Sequence, residues 1–114
     1  MSLLGRALVV SGLLMACSSS HPLPANYAPT QAAISAADAV GAQQEPRAAL
    51  HLKMARDQLA EAQNLTQKGD SDEATLACDR ARTDAELALM VKREADARGA
   101  ATRSNAAVDR LGSQ

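Results

Sequence analysis

Small and apolar residues recur at helical intervals over most of this chain. Ala48, Leu52, Ala55, Leu59, Ala62 and Thr66 follow one another at steps of four, three, four, three and four. That is a heptad seam, suited to a close helical partner. The spacing predicts a helix over 46–67, opened by Pro46, whose fixed φ and missing N–H suit a first turn. Lys68 and Gly69 end it, a cation in the last turn and a glycine just beyond. A second seam runs through Ala74, Ala77, Ala81, Ala85 (or Asp84) and Ala88. It is preceded by Asp70 and Glu73 at capping-box spacing. So short a link forces the two helices antiparallel, and their small residues let them approach closely. Upstream, Ile34, Ala37 and Val40 or Gly41 form a shorter stripe, predicting a helix over 29–42 that Gly41 loosens at its end. Past Gly99 the pattern weakens, and 99–114 reads as a helical extension or a frayed tail. Nothing alternates with the period of two that a strand needs. The expected fold is all-α, a short N-terminal helix plus a long antiparallel hairpin. Together they make an Ala-rich, coiled-coil-like three-helix bundle over 29–98.

The first residues follow a different pattern. Met1 to Arg6 carries one positive charge, and Ala7 to Ala16 is apolar apart from Ser11 and Gly12. These are the n-region and h-region of a secretory signal, expected over 1–16. An apolar run of about ten residues is too short to span a bilayer, which takes ~20. It ends in Leu14-Met15-Ala16-Cys17, a stretch that resembles the lipobox of bacterial lipoproteins. The resemblance implies cleavage between Ala16 and Cys17 and a diacylglyceride on Cys17. A further acyl chain usually follows on the new N-terminus. Two or three chains anchor durably where one is marginal. Next come three serines and Pro22 and Pro24, which build neither helix nor sheet. With the lipidated cysteine they make a tether over 17–28. Ser18, where Asp is the exception, resembles an outer-membrane address in enteric lipoproteins.

Composition narrows the function. Acidic residues outnumber basic ones by 13 to 12, with no basic patch, which argues against nucleic acid. Trp and Phe are absent and Tyr27 is the one aromatic. A core of Ala and a few Leu buries little area, so stability is expected to be modest or to draw on an envelope partner or self-association. Lipid on Cys17 would leave Cys78 unpaired. Cys78 neighbours the Ala seam and reads first as a small core residue, with an intermolecular disulfide or a reactive thiol as the sharper alternative. Asp84 reads first as a flank charge paired with Arg80, and alternatively as a contact to a partner helix. Further i,i+4 pairs are expected between Arg82 and Glu86, Lys92 and Asp96, and Glu94 and Arg98. His21 and His51 are the two histidines, thirty positions apart, with no ligand cluster joining them. His51 is expected on the solvated edge of the seam. No nucleophile–base pattern or phosphate-cradling loop appears. We expect no catalytic residue, metal or other cofactor, and nothing marks a peptidoglycan pocket.

The body has a further likeness. "AISAADAVGA" (33–42), "ALHLKMARDQLAEA" (49–62) and "KGDSDEATLACDRARTDAELA" (68–88) resemble small bacterial envelope lipoproteins grouped as domain of unknown function 4398. The likeness spans residues 30–98 and is densest at Asp84–Ala88. Relatives often place an aromatic-Ala-Pro before the second helix, where this chain has Gln44-Glu45-Pro46. The resemblance implies an all-α fold and an envelope location, and assigns no reaction. The expectation is therefore a lipid-anchored protein facing the periplasm, at the outer membrane, working by helix packing against a partner or itself. A pilotin-like or chaperone-like accessory for a secretion component is the alternative.

Overall fold

Glu45 opens the longest predicted seam. In the computed structural model, which describes residues 20–114, its carboxylate accepts the Ala48 backbone N–H at 2.6 Å. This cap precedes Pro46, and helix α2 runs Pro46–Lys68. Before it, α1 spans Tyr27–Ala39 and a 3₁₀ turn covers Ala42–Gln44. After it, α3 spans Ser71–Gly112. The expected all-α fold, a short helix and a long hairpin, is the fold observed. The signal and lipidation readings at Ala16 and Cys17 lie outside the described residues.

Glycine sets both reversals. Gly41 ends α1 with φ of 75°, in the left-handed region that side chains avoid. Hence α1 stops three residues short of the predicted Ala42. It also starts two residues early, with Pro29 still inside its first turn, where no N–H is needed. Gly69, at φ 86°, closes α2. Its N–H donates to the Thr66 carbonyl and the Asp70 N–H to the Leu65 carbonyl, both at 3.0 Å. This is the paired bonding of a Schellman turn. It explains why the predicted capping box does not form: the Asp70 N–H that Glu73 would accept is already committed. Asp70 makes no side-chain cap. Asp72 and Glu73 instead complement the dipole of the first turn.

Both seams are buried. Ala48, Leu52, Ala55, Ala62 and Thr66 of α2 meet Ala74, Ala77, Cys78, Ala81, Ala85, Ala88 and Val91 of α3. Leu59 is half-buried between the two parts of the core. α1 lies in the groove of the hairpin. Its Ile34 and Ala37 join Leu52, Ala85 and Ala88 in one cluster. Gln63 donates to the Tyr27 hydroxyl and Arg56 to Asp38, so α1 runs antiparallel to α2. α2 and α3 are themselves antiparallel, so α1 runs parallel to α3, with Thr30 against Cys78 and Asn26 against Thr75 and Asp79.

The hairpin arms are unequal. At 1.5 Å per residue α2 is about 35 Å long and α3 about 63 Å. Val91 is the last buried residue of α3, and every residue from Ala100 onward is exposed. The expected weakening at Gly99 does not interrupt the helix. One interior glycine costs roughly 1 kcal/mol relative to alanine, and alanines surround it.

Candidate interaction surface

Asp84 was expected to pair with Arg80, one turn back on its own helix. It turns the other way, across the hairpin. His51 Nδ1–H donates to Asp84 Oδ1 at 3.0 Å, and Gln58 Nε2 donates to Oδ2 at 2.9 Å. Two residues one heptad apart on α2 thus clamp both carboxylate oxygens of one residue on α3. Seam geometry explains it. Asp84 borders the α2 contact beside Ala81 and Ala85, whereas Arg80 is exposed. The side chains of His51 and Asp84 are 27% and 16% exposed, so His51 is half-buried rather than on the solvated edge. The other three expected pairs form: Arg82–Glu86, Lys92–Asp96 and Arg98–Glu94.

Cys78 lies under α1 with 0% exposure. Burial pushes its thiol pKa up, and the neighbouring Asp79 carboxylate adds to the rise. The side chain is therefore a neutral, inaccessible thiol in the core. Access from a partner requires α1 to lift. Thr30 is fully buried where α1 meets α3, its one hydroxyl proton shared between the Asn26 carbonyl at 2.7 Å and the Cys78 carbonyl at 3.1 Å. Asn26 Nδ2 reaches the Thr75 carbonyl at 3.0 Å and Asp79 Oδ1 at 2.7 Å. Neither Thr30 nor Asn26 stood out in the sequence, since a polar residue in a short Ala-rich helix carries no periodic signal.

A second surface opens on the back of α3. Leu76 (49% exposed), Leu87 (38%), Met90 (66%), Val108 (64%) and Leu111 (74%) all face solvent. They share one heptad register, Leu76-Arg80-Thr83-Leu87-Met90-Glu94-Ala97-Ala101-Ser104-Val108-Leu111, stepping four and three throughout. This stripe lies opposite the Ala seam, whose stronger apolar period masks it in the sequence of the same helix. Single exposed apolar residues are ordinary; here Leu87 with Met90 and Val108 with Leu111 form two exposed apolar pairs on one face, separated by Glu94, Ala97, Ala101 and Ser104.

The family defined as "Domain of unknown function (DUF4398)" matches residues 25–104. The chain belongs to this family. The matched segment takes in α1, α2 and most of α3, so the three-helix arrangement and the inner end of the exposed stripe fall within it. No curated protein and no solved structure matches the chain at a significant level. Among the described residues no cavity opens and no group of three or more Asp, Glu, His or Cys gathers at metal-binding distance. No described helix is long and apolar enough to cross a membrane.

Proposed function

We propose that this protein is a lipid-anchored component of the bacterial cell envelope, held at the periplasmic face of the outer membrane through Cys17. It acts by helix packing and not by catalysis. The observation that carries the packing role is the back of α3. A helix prolonged some 20 residues past its last buried position, with a heptad stripe of exposed Leu, Met and Val, presents partner surface and no reaction chemistry. Anchoring is supported by Leu14-Met15-Ala16-Cys17 and the proline-broken tether behind it. The described part of that tether leaves the body beside the α2–α3 turn, where the His21 ring lies against Gly69. The described tether therefore starts at one end of the bundle, and the unpartnered length of α3 is at the other. A pilotin-like role needs a client groove, and α1 already fills the groove of the hairpin.

The test is fractionation with metabolic acyl labelling of the wild type and Cys17→Ala. The expected result is a labelled wild type in the outer-membrane fraction and an unlabelled, membrane-free variant with unchanged helix content. Equal membrane association of both would overturn the lipoprotein reading.

A further inference from the structure

We infer that the back of α3 pairs with the same face of a second copy of this chain, antiparallel and centred near Gly99. The inference names the partner in the helix-packing role above and rests on that reading.

The stripe is self-complementary in one register. Read from Leu87 to Leu111 its residues are Leu, Met, Glu, Ala, Ala, Ser, Val and Leu. Two large apolar positions stand at each end, a polar one lies inside each pair, and alanine occupies the middle. Turning a second copy end for end sets Leu87 opposite Leu111, Met90 opposite Val108, Glu94 opposite Ser104 and Ala97 opposite Ala101. Every layer then occurs twice, as a two-fold axis demands. A shift of one heptad sets Leu111 against Arg80 in one direction and against Glu94 in the other, so that a large apolar end residue meets a charged one instead of Leu87. The parallel arrangement in register sets Glu94 against Glu94 and Arg80 against Arg80. Like charges also approach in the favoured register, where Arg98 flanks the axis in both chains. There each guanidinium is bonded to Glu94 of its own chain at 2.5 Å.

Helix stability is the first reason for a cover on this face. From Ala100 to Gly112 the helix has no buried residue. Its sequence includes Thr102, Ser104 and Asn105, weak helix formers, just after Gly99. Isolated segments of about that length are marginal in water, and most helical stability in proteins comes from packing an amphipathic face. The second is room. α1 and α2 occupy the Ala-seam side of α3, so nothing obstructs the back from Leu87 onward. The overlap of 87–111 is about 36 Å long. Two helices in contact over that length remove on the order of 1,000 Å² in total, near the lower bound for a specific interface. A slight left-handed coil keeps the 3.5-residue stripe in register over this length. The tethers leave at opposite ends of such a rod, so two anchored copies on one membrane lie flat along it.

The test uses full-length chains in mild detergent, carrying Cys17→Ser so that the engineered thiol is the accessible one. Cys78 is fully buried. One preparation carries Ala97→Cys, a second Ala101→Cys, and oxidation is carried out on each alone and on a reduced, equilibrated mixture of the two. The expected result is a covalent dimer in the mixture and little in either alone, because residue 97 faces residue 101 of the other copy. Sedimentation of the chain without engineered cysteines should give a dimer that Met90→Glu with Leu111→Glu converts to a monomer. A monomer at all concentrations, or efficient crosslinking of each variant with itself, overturns the inference. A monomer that still crosslinks through this stripe to another envelope protein in cells overturns the self-pairing and leaves the packing role standing. Absence of any partner would sink both.

Discussion

Leu52 is the largest fully buried side chain of the bundle, and its neighbours across the seam are mostly alanines that cannot move in to fill a gap. Leu52→Ala should therefore cost ~2–5 kcal/mol. Leu59 is half-buried, so its truncation falls below that range. Glu61 is exposed on the far side of α2, and Glu61→Ala should stay within ~0.5 kcal/mol. Ala81 has no exposure. Ala81→Leu should strain the hairpin by ~1–3 kcal/mol. Urea unfolding of the variants measures all of these, and a Glu61→Ala loss equal to that of Leu52→Ala would mean that the seam is on the wrong face. The seam was readable from the sequence because its period is local. The partner of Asp84 was not, because His51 and Gln58 come to it from another helix. Removing that carboxylate strands two donors, and Asp84→Ala should cost ~1.5–3 kcal/mol, the worth of hydrogen bonds to a charged group.

At the scale of elements, α1 is held by Ile34 and Ala37 in the core, Thr30 over Cys78, Asn26 at its start, and the outer bonds of Tyr27 to Gln63 and Asp38 to Arg56. An element of 13 residues with so small a buried face should open before the hairpin does. Cys78 reports that opening, since Thr30 of α1 lies against its backbone carbonyl and Tyr27 of α1 packs on its cluster. Ile34→Ala should speed alkylation of Cys78 by an order of magnitude or more while circular dichroism changes little. Labelling as slow as in the wild type would show that the thiol is released only on global unfolding. The thiol also ties stability to pH. Its pKa is raised in the folded chain, so folding favours the protonated form. That contribution is fully present below the ordinary thiol value of ~8.5 and is lost as the pH rises through the higher folded value. The ends of these helices were legible wherever glycine or proline set them, at Gly41, Pro46 and Gly69. The Asp70–Glu73 box was misleading, because the cap competes with the Schellman bonds of the preceding turn and loses the shared N–H.

For the whole molecule, the central feature is the inequality of the arms. α3 outruns α2 by 19 residues, about 28 Å. The sequence hid this, since the Ala seam fades after Val91 and suggests fraying. A second stripe, on the opposite face and in its own heptad register, continues to Leu111. We propose that this outer face, presented by an anchored bundle, is the working surface. The most direct measurement is in-cell photocrosslinking from single probes at Leu87, Met90 and Leu111, with Glu61 as the control on α2. The account predicts discrete adducts from all three α3 positions, running at twice the mass of the chain, and none from Glu61. Crosslinking from Glu61 as efficient as from the stripe, or no adduct from any α3 position, would contradict it.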